Sequence, residues 1–314
     1  MDIGVLFLGG AKRVSFARRL MSAAGELGHT LRIFSYEIEK DVPISEVGEV
    51  IVGLRCGDPA IISHLEETVY KHDIRIVLPF IDPAVEIASR LSEICPGLFI
   101  PVSSPELCRK MFDKVEADRL FRLHEIPVPR RFMPGEHYPQ IWKPRTGSAS
   151  QGIIVVKRSS ELPVEDSDKY LIQEYIVDAK EYTVDCYIGA DGKILSVVPR
   201  LRLATAGGEV TKTVTVSDTD LITLSEKVLS SLEFRGAVTL QFLRDSDGRT
   251  LLMEVNPRLG GGVVASIAAG SRVPEMILKE ALGIPVSRVT DWKPDTFISR
   301  YMQEVVFHNF NLNT

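Results

Sequence analysis

The chain has 314 residues, 45% apolar and 25% charged, with a net charge of −5. That length and composition suggest two or three ordinary globular domains, and the negative balance argues against a nucleic-acid-binding or polybasic membrane surface. Cys56, Cys95, Cys108 and Cys186 form no CxxC pair, the histidines show no HExxH spacing, and no apolar run approaches the roughly 20 residues of a membrane helix. Zinc hydrolases, disulfide scaffolds and membrane spans are set aside, and reduced thiols in a cytoplasmic protein are expected.

In chain order, Asp2 and the apolar run Ile3–Leu8 read as a first strand rather than a signal peptide. After Gly9-Gly10 the pattern predicts a helix from about Ser15 to Leu27, strands at Leu31–Ser35 and Glu49–Val52, a helix at Pro59–His72 and a strand at Ile74–Pro79. Strands alternating with helices imply a parallel sheet covered on both faces, here a Rossmann-like domain over residues 1–106. Gly9-Gly10-Ala11-Lys12-Arg13-Val14 lacks the third glycine of GxGxxG, so a tight turn is the plainer reading than a cofactor loop. Lys12 and Arg13 at a helix start, and Asp82 beyond a strand end, are candidate substrate contacts.

Ser103-Ser104-Pro105-Glu106 opens a helix expected to run to about His124, carrying Asp113-Lys114 and ended by Pro127 and Pro129. Two strands then flank the small-residue loop Gly147-Ser148-Ala149-Ser150-Gln151-Gly152. Such a loop can lie flat on phosphates, and Lys143 on the preceding strand can reach them as a point charge; a flexible hairpin is the alternative. Tyr170–Ile176 and Glu181–Tyr187 are two more strands. Pro199–Arg202 reads as a strand, residues 204–212 as a long mobile loop, and a further strand starts at Thr213.

Gly236–Phe242 and Leu251–Asn256 form a hairpin around Asp245-Ser246-Asp247-Gly248. Alternation puts Glu254 and Asn256 on one face, with Gln241 across from them. One carboxylate and two amide oxygens suit a hard cation such as Mg²⁺; solvated strand ends are the alternative. A helix at Val263–Ala269 follows Gly260-Gly261-Gly262, and one more strand is expected within Thr296–Phe307.

Lys114, Lys143-Pro144 with its Gly/Ser loop, Gln173-Glu174-Tyr175-Ile176 followed by Glu181, and Gln241 with Glu254-Val255-Asn256-Pro257-Arg258 stand in an order and spacing that resembles the ATP-grasp superfamily. The chain is most similar to a synthetase unit of the carbamoyl phosphate synthetase large subunit and to short ATP-dependent carboxylate–amine ligases. The resemblance covers nearly the whole chain. It implies an α/β protein: a Rossmann-like preATP-grasp domain (1–106), a small lobe with the lid (107–172) and a C-terminal lobe with the metal site (173–314).

By this resemblance, ATP and one or two Mg²⁺ ions, with Mn²⁺ as a substitute, would be the cofactors. Lys114 and Lys143 match the basic residues that hold phosphates, where the carbamoyl phosphate enzyme has arginines. Gly147, Ser148, Ser150 and Gly152 match the lid. Glu174 and the backbone at Ile176 match the adenine hinge, and Glu181 the ribose-binding acid. Gln241, Glu254 and Asn256 match the metal ligands. Many members have glutamate at the position of Gln241, so one metal would bind more weakly here.

Arg258 would stabilise an acyl phosphate or hold a substrate carboxylate, Arg200 would point to a pocket, and Lys212 to the γ-phosphate or substrate; structural salt bridges and solvated charges are the alternatives. The implied reaction activates a small carboxylate, such as an amino acid, as an acyl phosphate with release of ADP. An amine or similar nucleophile then displaces phosphate. A small-molecule kinase, a non-catalytic ATP-binding regulatory protein and a dinucleotide oxidoreductase are the rivals. Related enzymes are often dimers, so a homodimer is an option. Neither nucleic acid nor membrane is an expected partner.

Overall fold

The computed structural model describes residues 2–147, 151–164 and 166–308. The chain divides into two units, one of Met1–Pro101 with Val273–Val286 and Arg300–Thr314, the other of Val102–Arg272 with Ser287–Ser299.

In the first unit, β1 (Asp2–Leu8), α1 (Val14–Glu26), β2 (Thr30–Glu37), β3 (Glu49–Val52), α2 (Ile61–Lys71), β4 (Ile74–Pro79) and α3 (Asp82–Ile94) follow one another. The four strands form a parallel sheet in the order β3-β2-β1-β4. β1 lies at its centre, which is why Ile3 and Val5–Leu8 form an unbroken buried run. Phe7, Phe16 and Phe80 pack as a ring cluster, with Phe7 and Phe80 centroids 4.7 Å apart. α3 was not anticipated, and Asp82 is its first residue.

The turn after β1 is occupied from within. The Glu37 carboxyl, at the end of β2, accepts from Ser35 Oγ at 2.6 Å and from the backbone N–H groups of Gly10 and Ala11. Burial pushes its pKa up against those hydrogen bonds. A phosphate cradled by this turn would have to displace an internal carboxylate.

The second unit opens with α4 (Pro105–Phe112) and α5 (Lys114–Leu123). Here the structure corrects the single expected helix. Asp113 takes an extended conformation (φ −96°, ψ 106°), accepts from the N–H groups of Val115 and Glu116, and so caps a second helix that starts at Lys114. Then come β5 (Gln140–Pro144), β6 (Ile154–Val156) and β7 (Tyr170–Glu174), an antiparallel sheet in the order β6-β5-β7. β8 (Lys180–Ile188), β9 (Ile194–Ala206), β10 (Glu209–Thr215), α6 (Thr219–Ser231), β11 (Gly236–Arg244), β12 (Thr250–Asn256), α7 (Val263–Ala269) and the three-residue β13 (Phe297–Ser299) complete the unit. The remaining helix, α8 (Val273–Ala281), belongs to the first unit and packs on α1.

The six-stranded antiparallel sheet runs β12-β11-β8-β9-β10-β13. The mobile loop expected at 204–212 is instead strand: β9 and β10 form a hairpin with Ala206 opposite Glu209, turned by Gly207 and Gly208 at φ +56° and +78°. The strand expected within Thr296–Phe307 shrinks to β13. One face of this sheet is apolar. Val184, Cys186, Val238, Leu240 and Val255 pack there with Met111, Phe121 and Leu229 from α4, α5 and α6. The residues between them along β8, β11 and β12 therefore face the other way.

Asp113 also forms a bidentate pair with Arg145 just beyond β5, with Nη2–Oδ2 at 2.6 Å and Nε–Oδ2 at 3.0 Å. Although burial works against its charge, the Arg145 pair and the cap hydrogen bonds hold its pKa below the ordinary carboxylate range. Its stabilisation is thus present above the unfolded carboxylate pKa and fades as pH falls through the lower folded one. Asp113→Ala should lose about 1–2 kcal/mol at pH 7 from the cap and the ion pair together. Denaturant melts of the two proteins at pH 7 and pH 3 should show the difference shrinking at the lower pH.

Candidate active site

β5 lies beside β7, with Lys143 opposite Leu171, and Lys143 is 5% exposed. Its Nζ donates to Gln173 Oε1 at 3.0 Å, and Gln173 Nε2 donates to Asp118 Oδ1 at 2.8 Å. Asp118, on α5, is in turn held by Arg122 Nε at 2.9 Å. Because the Gln173 amide must donate to a carboxylate, its oxygen can only face Lys143, which fixes the ammonium's direction. Burial lowers the Lys143 pKa to about 8, offset in part by the charges of Glu254 and Asp118 and reinforced by Lys114. Those three groups are its electrostatic neighbours.

Lys114, the first residue of α5, donates from Nζ to Gly147 O at 2.8 Å. A cleft in this unit is lined by Lys114, Asp118, Gln173 and Glu254 with an apolar rim that includes Met111 and Leu252. The two lysines thus meet the end of the hairpin. Gln241 stands opposite Glu254, and Thr239 opposite Asn256, so Gln241, Glu254 and Asn256 share the polar face of the sheet as the alternation predicts. The rung continues through Thr183 to Arg200 and Thr215. Among the described residues there is no group of three His, Cys, Asp or Glu suited to a metal. One carboxylate with two amide oxygens is instead an oxygen-only donor set of low charge, which fits a hard cation that keeps water or phosphate oxygens among its ligands.

Several expected residues are engaged elsewhere. Glu174 Oε1 accepts from Arg130 N at 3.0 Å and pairs with Arg249 at 3.4 Å. Ile176 lies half-buried just beyond β7. Glu181 pairs with Arg202 at 3.3 Å, and burial lowers the pKa of that arginine. Gly147 and Gly152 have positive φ, at +114° and +71°; Ser148 and Ser150 lie outside the described residues. Lys212 is exposed and sits on β10 opposite Ala204, and the bulge after it brings Thr213 opposite Arg202.

Arg258 lies beyond the end of β12. Its N–H closes a turn onto Asn256 O at 2.8 Å and its Nη2 donates to Asn256 Oδ1 at 3.2 Å. It reaches the metal-ligand candidates by folding back rather than by continuing the strand. Arg200 is 3% exposed, with Nε bonded to Asp185 Oδ2 at 2.8 Å. Lys12 is exposed, and Arg13 stacks over the Phe80 ring at 5.5 Å.

Sequence reasoning missed Asp118, Gln173 and Asp185. Asp118 was within reach, since it stands four residues after Lys114 on a helix and so shares its face. Gln173 and Asp185 become visible only through strand register.

A family model described as "ATP-grasp in the biosynthetic pathway with Ter operon" matches residues 166–304. Pyruvate carboxylase of Schizosaccharomyces pombe is 24% identical over 330 residues; the alignment covers 86% of this chain and 27% of that protein, so the chain spans about a quarter of this relative. The biotin carboxylase domain of Hydrogenobacter thermophilus 2-oxoglutarate carboxylase, solved as a dimer with MgADP, ADP and bicarbonate, superposes with a TM-score of 0.73 at 16% identity, covering 94% of this chain and 73% of that one. N5-carboxyaminoimidazole ribonucleotide synthetase of Thermus thermophilus gives 0.70 at 18% identity, covering 93% and 81%. These likenesses establish the fold. No helix among the described residues is long and apolar enough to cross a membrane.

The buried lysine makes a prediction about the isolated protein. With a folded pKa near 8 against 10.5, the native state binds fewer protons than the unfolded chain between those values, so this group adds stability as pH rises. Relative to Lys143→Met, the wild type should gain up to about 3 kcal/mol between pH 7.5 and pH 10. Urea unfolding of both proteins at the two pH values checks it.

Proposed function

The chain has the ATP-grasp fold, and from that premise we propose that it is an ATP- and Mg²⁺-dependent, ADP-forming ligase that activates a small carboxylate as an acyl phosphate for attack by an amine or similar nucleophile. The observation that carries this reading is that Lys114 and Glu254 line one cleft, with the buried Lys143 an electrostatic neighbour of both and Gln241 and Asn256 beside Glu254 on the polar face of the sheet. A triphosphate is the ligand whose charge satisfies both sides. It would neutralise the lysines and share a cation with the carboxylate.

In this reading Lys114 and Lys143 hold the phosphates, and Gly147, Ser148, Ser150 and Gly152 form the covering segment. Glu174 and Ile176 border the adenine and Glu181 meets the ribose, which requires Glu174 to leave Arg249 and Glu181 to leave Arg202. Gln241, Glu254 and Asn256 hold Mg²⁺ or Mn²⁺. When bound, the ion supplies charge neutralisation and orientation of the phosphate oxygens. Arg258 binds the carboxylate and the developing acyl phosphate, and Arg200 and Lys212 are further cationic contacts for substrate or phosphate.

Phosphoryl transfer of this kind asks the protein for position and charge rather than for a nucleophilic side chain. The division into a preATP-grasp domain (1–106), a small lobe (107–172) and a metal-bearing lobe (173–314) is the functional counterpart of this scheme. Glutamine rather than glutamate at position 241 keeps the likeness to a carbamoyl phosphate synthetase unit within the proposal, together with a cytoplasmic setting and a homodimer.

The test is ADP release from Mg·ATP against pools of amino acids and small carboxylates, bicarbonate included because a solved relative holds it, with and without amine acceptors. At least one pool should stimulate release, and Glu254→Gln, which removes the only formal charge among the proposed metal ligands, should reduce the stimulated rate about a hundredfold or more, the scale seen when one preorganised group that stabilises developing charge is lost. Activity unaltered in Glu254→Gln would contradict the assignment. A stable phosphorylated product with no condensation would make the protein a kinase on the same fold.

A further inference from the structure

Beneath the Gly260-Gly261-Gly262 passage lies an ion pair whose carboxylate, Asp185, has no role in the proposed chemistry. Asp185 on β8 and Arg200 on β9 are 2% and 3% exposed. Asp185 Oδ2 accepts from Arg200 Nε at 2.8 Å and from Ser266 Oγ, on α7, at 2.5 Å. Asp185 Oδ1 and Arg200 Nη1 are buried and have no hydrogen-bond partner among the described residues. A half-satisfied buried ion pair is a poor stabiliser. Apolar residues of similar volume commonly do as well or better, so stability alone does not account for it.

Its placement gives a different account. Asp185 stands opposite Thr239, which stands opposite Asn256. Thr239 Oγ1 donates to Arg258 O at 2.9 Å. A Cβ on Gly260 would lie 2.9 Å from Thr239 Oγ1 and 3.3 Å from Asp185 Oδ1, and one on Gly262 would lie 2.8 Å from Arg200 Cζ and Nη1. The glycine passage is therefore bare because it rests on this pair. The segment that carries Asn256 and Arg258 is clamped at its far end by Ser266 on Asp185.

We propose that Asp185 is a positioning residue for the metal and carboxylate end of the site. By joining Arg200, Ser266 and the glycine passage, it sets where Asn256 Oδ1 and the Arg258 guanidinium are presented. This rests on the proposed ligase reading, in which Asn256 is a metal ligand. Asp185 touches neither nucleotide nor metal in this scheme; it acts through Thr239 and the glycine passage.

The test uses the full chain and reads metal binding rather than turnover. Mn²⁺ is titrated by electron paramagnetic resonance in the presence of the non-hydrolysable analogue AMP-PNP, for the wild type, Asp185→Leu/Arg200→Met and Ser266→Ala. The double variant removes one charge of each sign, so the net charge near the ion is kept. It is expected to weaken nucleotide-dependent Mn²⁺ binding by about tenfold or more, the effect of losing a group that orients a metal ligand. Its Tm should stay near that of the wild type, and metal-free AMP-PNP binding should stay within about twofold, because the lysines that hold the phosphates are on other elements. Ser266→Ala keeps both charges and should weaken Mn²⁺ about threefold, in keeping with one lost hydrogen bond to a carboxylate.

Unchanged Mn²⁺ affinity in the double variant overturns the proposal. Should the double variant fail to fold, unchanged affinity in Ser266→Ala overturns it equally. Absence of nucleotide-dependent Mn²⁺ binding in the wild type itself would instead be a failure of the parent reading.

Discussion

The arrangement of the second unit depends on keeping a lysine charged where water does not reach it. Lys143 is almost fully buried, and the protein answers with Gln173, Asp118 and Glu254. Burial still wins by enough to bring its pKa down to about 8. A site of this kind is short of negative charge, and an anion that arrives there gains what the protein leaves unsupplied. On the opposite strands Glu254, Gln241 and Asn256 present oxygen with one formal charge, a surface short of positive charge. The two deficits face each other, and a metal-bound polyphosphate is complementary to both.

The six-stranded sheet serves two purposes because its faces alternate. Val184, Leu240 and Val255 close the core against α4, α5 and α6. Their neighbours Thr183, Asp185, Thr239, Gln241, Glu254 and Asn256 make a polar surface with fixed spacing. A one-residue slip of β12 against β11 would exchange the two sets, so the apolar core specifies the register of the site. Arg200, on the rung of Gln241 and Glu254, and Asp185, on the neighbouring rung of Thr239 and Asn256, extend the polar face under the glycine passage. In the first unit, by contrast, the turn that a dinucleotide would occupy is closed by Glu37.

The legible parts of the sequence were those governed by local rules. The alternation around Glu254 and Asn256 placed the hairpin and the shared face, and alternating strands and helices placed the parallel sheet. What failed was local chemistry with two outcomes. Gly207-Gly208 amid Thr and Ala read as a loop, yet two positive-φ glycines also make a tight turn, and β9 and β10 run on to meet it. Asp113 looked like an ordinary helix residue and is the cap of a new helix. α3, α6 and α8 went unread. The Gln173–Asp118 and Asp185–Arg200 contacts join residues 55 and 15 positions apart, and no local periodicity encodes them.

The most direct measurement is a crystal structure with Mg²⁺ and a non-hydrolysable ATP analogue. The account predicts phosphate oxygens within hydrogen-bond distance of the Nζ atoms of Lys114 and Lys143, and an ion at about 2.1 Å from oxygens of Glu254 and Asn256. A nucleotide bound instead at the Gly9-Gly10 turn, with Glu37 displaced and the Lys143 cleft empty, would contradict it.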